Sequence, residues 1–200
     1  MTVYEMWQGC RNAGEAPTIT VGVVRVLVVE NPDQTVDIFF PGTGEGLSGV
    51  LGKALAWILN GLYPTVGGVH VGFAVGVASV YLPLRRMLGK IDPIEVRWHG
   101  YSQGGALAQV AGEKFGLYMK NARTVYTFAA PRAFRWWFPN RIRGRNYVNG
   151  NDLIARLPFV WMFFKGGLKR EHIGKQRFFP SVLDHFPDRY EKAIMEYEDA

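Results

Sequence analysis

The stretch Ile94-Glu95-Val96-Arg97-Trp98-His99-Gly100-Tyr101-Ser102-Gln103-Gly104-Gly105-Ala106 decides how this chain is read. Its first half, Ile94–His99, is short, bounded by Pro93 and Gly100, and predicts a strand. Its second half opens an Ala-rich segment, Gly104–Met119, which predicts a helix. Between them Gly100-Tyr101-Ser102-Gln103-Gly104 fits G-x-S-x-G, the pattern of a serine held on a sharp strand-to-helix turn. With the four serines and 24 glycines of this chain, chance alone yields about 0.06 such matches. The strand before it and the helix after it therefore carry the weight. The glycines have a steric reason, because a Cβ at either flank of so tight a turn would meet the neighbouring strand or helix. The strain lifts the Ser102 hydroxyl clear of the sheet. It also leaves the N–H of Gln103 at a helix N-terminus, where it can donate to a developing oxyanion.

A serine hydroxyl needs a base, and the base needs an orienting acid. On a strand–turn–helix scaffold of this kind the chain order is Ser, then Asp or Glu, then His. Only His172 and His185 follow Ser102, so both are candidates for the base. The acid that fits best is Asp152, in Asn149-Gly150-Asn151-Asp152 after a short strand. There its carboxylate projects from the carboxyl edge of the sheet. His99 reads as a strand residue and His70 as structural.

Outward from this centre, Thr18–Glu30 is rich in Val and predicts a strand, Asn31-Pro32-Asp33-Gln34 a turn, and Thr35–Phe40 a second strand. Pro41-Gly42-Thr43-Gly44 ends that hairpin. Leu47–Leu62 and Phe73–Leu88 have helical spacing of apolar residues, with Pro83 expected to kink or split the second. Arg123–Phe128 and Asn146–Asn149 predict strands, and Asp188–Glu198 a polar helix. Strands alternating with helices predict an α/β fold with a largely parallel sheet and an antiparallel leading hairpin.

The 200 residues suit one domain spanning 1–200. Cys10 is the only cysteine, so no internal disulfide forms and no oxidising compartment is needed. The N-terminus lacks a basic stretch followed by an apolar run, which predicts a protein made in the cytoplasm; later delivery outside the cell stays open. No uninterrupted run of ~20 apolar residues is visible. The net charge of +6 predicts attraction to anionic surfaces in general rather than to nucleic acid.

Several segments resemble the class 3 lipases, the fungal-type triacylglycerol lipases. Val69-His70-Val71-Gly72-Phe73 resembles their V-H-x-G-F, Gly100–Ala106 their G-H-S-L-G-G-A, and Tyr126–Arg132 their T-F-G-x-P-R. Asn151–Pro158 is similar to N-D-x-V-P-R-L-P, and Leu183-Asp184-His185-Phe186 with Tyr190 to D-H-x-x-x-Y. The order and spacing hold from about Thr35 to the C-terminus. The resemblance implies an α/β-hydrolase fold, a mostly parallel mixed sheet with helices on both faces. It implies an ester hydrolase with a Ser102–His185–Asp152 triad and no metal or organic cofactor. His172 falls on a separate H-x-G segment that does not carry the base, so the resemblance favours His185. It also implies an oxyanion hole from the N–H groups of Gln103 and Thr43, since Phe40-Pro41-Gly42-Thr43 corresponds to F-R-G-T. Tyr101 and Gln103 depart from the usual His and Leu, and Pro41 from the usual Arg, which removes an ion pair. Gly-Tyr-Ser-Gln-Gly is instead typical of cutinases and cutinase-like cell-wall esterases.

Residues 132–177 carry eleven Lys or Arg against two acids, a local balance of +9, interleaved with Trp136, Trp137, Phe138, Trp161, Phe163 and Phe164. Such a segment suits the edge of an anionic membrane, and equally a solvated basic face above buried aromatics. Leu47–Leu62 corresponds to the position of a mobile lid in the resembled family and reads equally well as a buried helix. The expected partner is a lipid or other ester, with no nucleic acid. The rivals are a cutinase-like esterase or thioesterase, and a catalytically silent hydrolase fold that binds lipid.

Overall fold

The computed structural model describes residues 1–42, 65–157, 163–176 and 178–200. The expected helix Leu47–Leu62 and Thr43 lie outside these residues. Among the described residues seven strands form the main sheet: β1 (Ile19–Val21), β2 (Val24–Glu30), β3 (Thr35–Phe40), β6 (Glu95–Tyr101), β7 (Thr124–Phe128), β9 (Arg143–Asn149) and β11 (Lys169–Ile173), in that spatial order. The first three run antiparallel as a meander, and β3, β6, β7, β9 and β11 are parallel. A small antiparallel sheet beside it is built from two-residue strands, in the order β10 (Phe164–Lys165), β8 (Phe134–Arg135), β5 (Val69–His70) and β4 (Thr65–Val66).

Thr18–Glu30 is not the single strand that its Val content predicts. It folds back on itself, because Gly22 takes φ +58° and Val21 pairs with Val24 across a two-residue loop. Glycine at the first loop position suits a type II′ turn. Strand composition is blind to such a break, since Val23 looks like any other strand residue although it is exposed at the loop tip.

Among the described residues four helices cover the sheet: α1 (Val3–Glu15), α2 (Val71–Ile91), α3 (Gln103–Phe115) and α4 (Pro187–Glu198). The two-residue period of the strands separates the faces. Ile38, Phe40, Val96 and Trp98 point into a core shared with Phe73, Val77, Val80, Leu84 and Leu88 of α2 and the Ala-rich face of α3. Phe39 and Tyr101 point the other way, to Trp7 and Cys10 of α1 and Tyr190 and Ile194 of α4. Helix α2 is long and apolar enough to cross a membrane, with a mean hydropathy of 1.3, yet one stripe of it packs into the core. It runs on through Pro83 rather than splitting there. The residues on either side, Val80 and Leu84, are fully buried and hold both halves on the sheet. Helix α1 starts in a capping box, with Thr2 accepting from Glu5 N and Glu5 reaching back to Thr2 N. Glu198 of α4 accepts from the N–H groups of Val3 and Tyr4 at the same end, which satisfies orphan donors and complements the helix dipole.

Candidate active site

Everything predicted for the elbow depends on close backbone approach. A Cβ on Gly100 would lie 2.2 Å from the carbonyl oxygen of Gly104, and one on Gly104 would lie 2.2 Å from that of Pro41. Only glycine fits either place. Ser102 sits between β6 and α3 at φ 53°, ψ −122°, a backbone conformation that costs a non-glycine residue about 1–3 kcal/mol. Strain of that size persists only where the surroundings hold it, here through Ser102 N bonded to Phe128 O and Ser102 O bonded by Gly105 N. Gln103 is the first residue of α3, so its N–H has no intrahelical acceptor and points out of the helix end.

Strand β9 ends at Asn149, and Gly150 at φ +50° turns the chain so that Asp152 faces back toward Ser102. The His185 loop is bound alongside that turn. Ser181 N donates to Asn151 O and Leu153 N to Ser181 O, while Asn149 Nδ2 donates to Asp184 O and Asn151 N to the Asp184 carboxylate. The structure thus brings together three groups far apart in sequence. Ser102 Oγ is 2.8 Å from His185 Nε2, and His185 Nδ1 is 2.8 Å from Asp152 Oδ2. All three side chains are buried. His172 is exposed on edge strand β11.

Two tyrosines complete the arrangement. Tyr190 donates its hydroxyl to Asp152 Oδ2 at 2.8 Å and accepts from Asn149 N at 3.0 Å. Burial, reinforced by the negative charge of Asp152, pushes the Tyr190 phenol well above its ordinary value, so it stays a donor. Asp152 Oδ1 accepts from Ile154 N at 2.8 Å, and the carboxylate therefore has three donors. Tyr101 donates to the backbone carbonyl of His185 and stacks on the His185 ring, with centroids 5.4 Å apart. Sequence reasoning noticed Tyr101 only as a departure from the usual residue and gave it no role. Its partner is a main-chain oxygen 84 residues away, which no motif reports. Asn146 was also missed. Its side chain bonds both N and O of Ala130, next to Ala129 at φ 54°, and braces the strand end beside the elbow.

His70 caps α2, with Nδ1 accepting from Gly72 N at 3.2 Å. Burial holds the imidazole below its ordinary pKa, which keeps that lone pair available. His99 lies on β6, as expected, inside a buried polar group: Nε2 is 2.7 Å from Asp37, which also accepts from Arg97 and Asn31. Among the described residues no cluster of three or more His, Cys, Asp or Glu could hold a metal ion.

The architecture is that of an α/β-hydrolase: a mostly parallel mixed sheet, helices on both faces, and a serine on a strand–helix elbow. The sequence pattern of the family described as lipase (class 3) matches residues 55–162, more than half of the chain, and the chain belongs to that family. The fold is similar to lipase II from Rhizopus niveus, with a TM-score of 0.66 and 17% identity over 91% of this chain and 91% of that one. It is also similar to the Rhizomucor miehei lipase propeptide complex (TM-score 0.58, 20% identity, 84% of this chain), of which this chain spans 65% of the length. A triacylglycerol lipase whose catalytic centre is described as a serine protease triad matches with a TM-score of 0.59 and 20% identity, over 81% of this chain and 74% of that one. At such identities the likeness is one of fold. No curated protein sequence matches the chain.

Proposed function

We propose that this single-domain chain hydrolyses carboxylic esters of lipids through an acyl-enzyme on Ser102. The observation that carries the reading is the continuous pair of 2.8 Å contacts from Ser102 Oγ through His185 to Asp152. Family membership and the triad described for a structural neighbour support it. His185 Nε2 takes the Ser102 proton as Oγ attacks the ester carbonyl, and returns it to the leaving alcohol. Asp152 fixes the imidazole with Nδ1 protonated and stabilises the imidazolium that forms. The Gln103 N–H donates to the oxyanion. Thr43 would give the second N–H; the two residues before Gly42 lie against Gly104, and Gly42 against the Tyr101 ring, so the chain entering Thr43 is held beside the elbow. Water activated by His185 then cleaves the acyl-enzyme.

Exposed Trp136, Trp137 and Phe163, with Arg141, Lys169 and Lys175 on the same basic segment, support docking on an anionic lipid surface. Trp161 and Arg177 of that segment lie outside the described residues.

Labelling with a fluorophosphonate tests the nucleophile, since only an activated serine reacts. Wild-type protein should label and cleave p-nitrophenyl esters, while Ser102→Ala should stay folded and do neither. More than a tenth of wild-type turnover in that variant would refute Ser102 as nucleophile. A screen across triglycerides, phospholipids, cutin-type polyesters and thioesters separates the lipase reading from its cutinase-like rival.

A further inference from the structure

A cavity of about 440 Å³ opens beside β10, within the size range of sites for small amphiphiles. Its lining includes Ala130, Arg132, Trp136, Phe163, Lys165 and Arg170, so among the described residues three cations enter it and no carboxylate does. Arg156 stands close behind. Most of the remaining wall is apolar, and Trp136 and Phe163 are exposed at its rim. A pocket with a cationic interior and an aromatic rim matches a molecule with an anionic group and a hydrocarbon portion.

The guanidinium groups crowd one another. Burial, and then the charges of Arg170 and Arg156, bring Arg132 down to about 10. Burial and then the charge of Arg156 lower Arg170 as well, with the Asp152 carboxylate pulling the other way. Arg170 donates to the carbonyl of Ala155 at 2.8 Å and Arg156 to Asn151 Oδ1 at 2.7 Å. These are neutral oxygens, and among the described residues neither arginine forms an ion pair. Like charges gathered in a partly buried place repel and cost stability. A bound dianion would offset that repulsion, and planar guanidinium groups suit phosphate oxygens.

The place of the cavity also matters. Ala155 and Arg156 belong to the short turn that follows Asp152, and Asn151 precedes it. Arg132 N donates to Leu157 O at the end of that turn. The three arginines are therefore attached to the segment that carries the triad acid.

We propose that this cavity binds the phosphate of an anionic lipid headgroup through Arg132, Lys165 and Arg170, making the substrate a phosphate-bearing ester lipid. The substrate assignment rests on the ester-hydrolase reading; the binding site does not. Calorimetric titration of the full chain carrying Ser102→Ala tests it without turnover. The probes are dihexanoyl phosphatidic acid below its micelle concentration, dihexanoylglycerol, and inorganic phosphate. Monomeric lipid separates the pocket from adsorption to a surface. Phosphatidic acid should bind at least about tenfold tighter than either other probe, as charge-assisted hydrogen bonds to a dianion require. Arg170→Gln and Lys165→Gln should each weaken it about tenfold. Lys165 lies on β10, paired with Phe134 of β8, whereas Arg170 is bonded to Ala155 of the Asp152 turn, so the Lys165 variant reads the pocket more directly. Equal affinity for the lipid with and without phosphate, or no change in either variant, overturns the site. Inorganic phosphate binding as tightly as the lipid overturns the headgroup assignment. Tight phosphatidic acid binding by a wild-type chain that hydrolyses no ester supports the site and refutes the hydrolase reading instead.

Discussion

Tyr190→Phe isolates the least obvious support of the site. The side chain is fully buried, and the substitution removes one oxygen while keeping the ring that stacks on Trp7 with centroids 5.8 Å apart. That oxygen serves two partners at once, the Asn149 amide at 3.0 Å and Asp152 Oδ2 at 2.8 Å. Asp152 keeps two donors, His185 Nδ1 and Ile154 N. The Asn149 amide, at the buried end of β9, is left without its acceptor, which costs about 2 kcal/mol. At about 2–4 °C per kcal/mol for a domain of this size, the melting temperature should fall by about 4–8 °C. The carboxylate also loses one of the contacts that aim it at His185. If about 1.4 kcal/mol of that contact is felt in the transition state, kcat falls about tenfold. Steady-state kinetics on a soluble p-nitrophenyl ester at 25 °C, far below melting, separate the two effects. KM should hardly move, because Tyr190 lies behind the carboxylate and touches no substrate. An unchanged melting temperature together with an unchanged kcat would show that the hydroxyl bridges nothing of consequence.

Tyr101→Phe removes the bond to the His185 carbonyl but keeps the ring stacked on the imidazole. It should lower kcat by about threefold to tenfold, and wild-type kcat in this variant would remove Tyr101 from the site. Gly104→Ala places a methyl 2.2 Å from Pro41 O and 2.4 Å from Phe40 O. Main chain cannot yield like a side chain, so at least about 1–3 kcal/mol should be lost, and a thermal melt that matches wild type contradicts the close approach. The pH dependence of stability follows from His70 and His99, both held below the ordinary histidine value, first by burial. The unfolded chain takes up these protons near the reference value of about 6.5 while the folded chain does not. The unfolded state thus binds more protons below that pH, and stability is lost as pH falls through it. The slope is at most about 1.4 kcal/mol per pH unit for each histidine. Urea unfolding at pH 7.5 and 5.5 should show the drop, and equal midpoints would contradict it.

The elbow was legible because its residues have almost no alternative use. Gly-x-Ser-x-Gly between a strand and an Ala-rich helix answers a steric demand that few other folds make, and the structure meets it at Gly100 and Gly104. Asp152 and His185 were legible only as parts of motifs, since nothing local in either segment announces that they meet. Helix α1 went unread although its signals are ordinary. Thr2 and Glu5 form a capping box, and Met6, Trp7, Cys10 and Ala13 fall on one buried face. Strand β11, Lys-Arg-Glu-His-Ile, hides its nature because it is an edge strand whose side chains are mostly half-buried or exposed. The charged start of β9, Arg143-Gly144-Arg145, escaped the shorter prediction Asn146–Asn149 because its residues are exposed or half-buried, although β9 itself lies between β7 and β11.

Tyr101 shows how a departure from a family pattern can be structural rather than decorative. The class 3 pattern has histidine before the serine, and a histidine ring there would be shorter than a phenol. In this chain the phenol reaches the His185 carbonyl with its hydroxyl. Its ring lies 5.4 Å from the imidazole and 4.9 Å from Trp7 of α1. The ring edge also occupies the space where Gly42 would carry a Cβ, 2.4 Å away, so glycine is required before Thr43. One side chain therefore touches the base, the N-terminal helix and the loop leading to the proposed oxyanion donor. Burial raises its phenol well above the ordinary value, so it remains an uncharged donor whatever the base does. The cost of replacing it should accordingly fall on the placement of His185 more than on packing. That is the reason Tyr101→Phe, which preserves every ring contact, is the sharper experiment than any truncation.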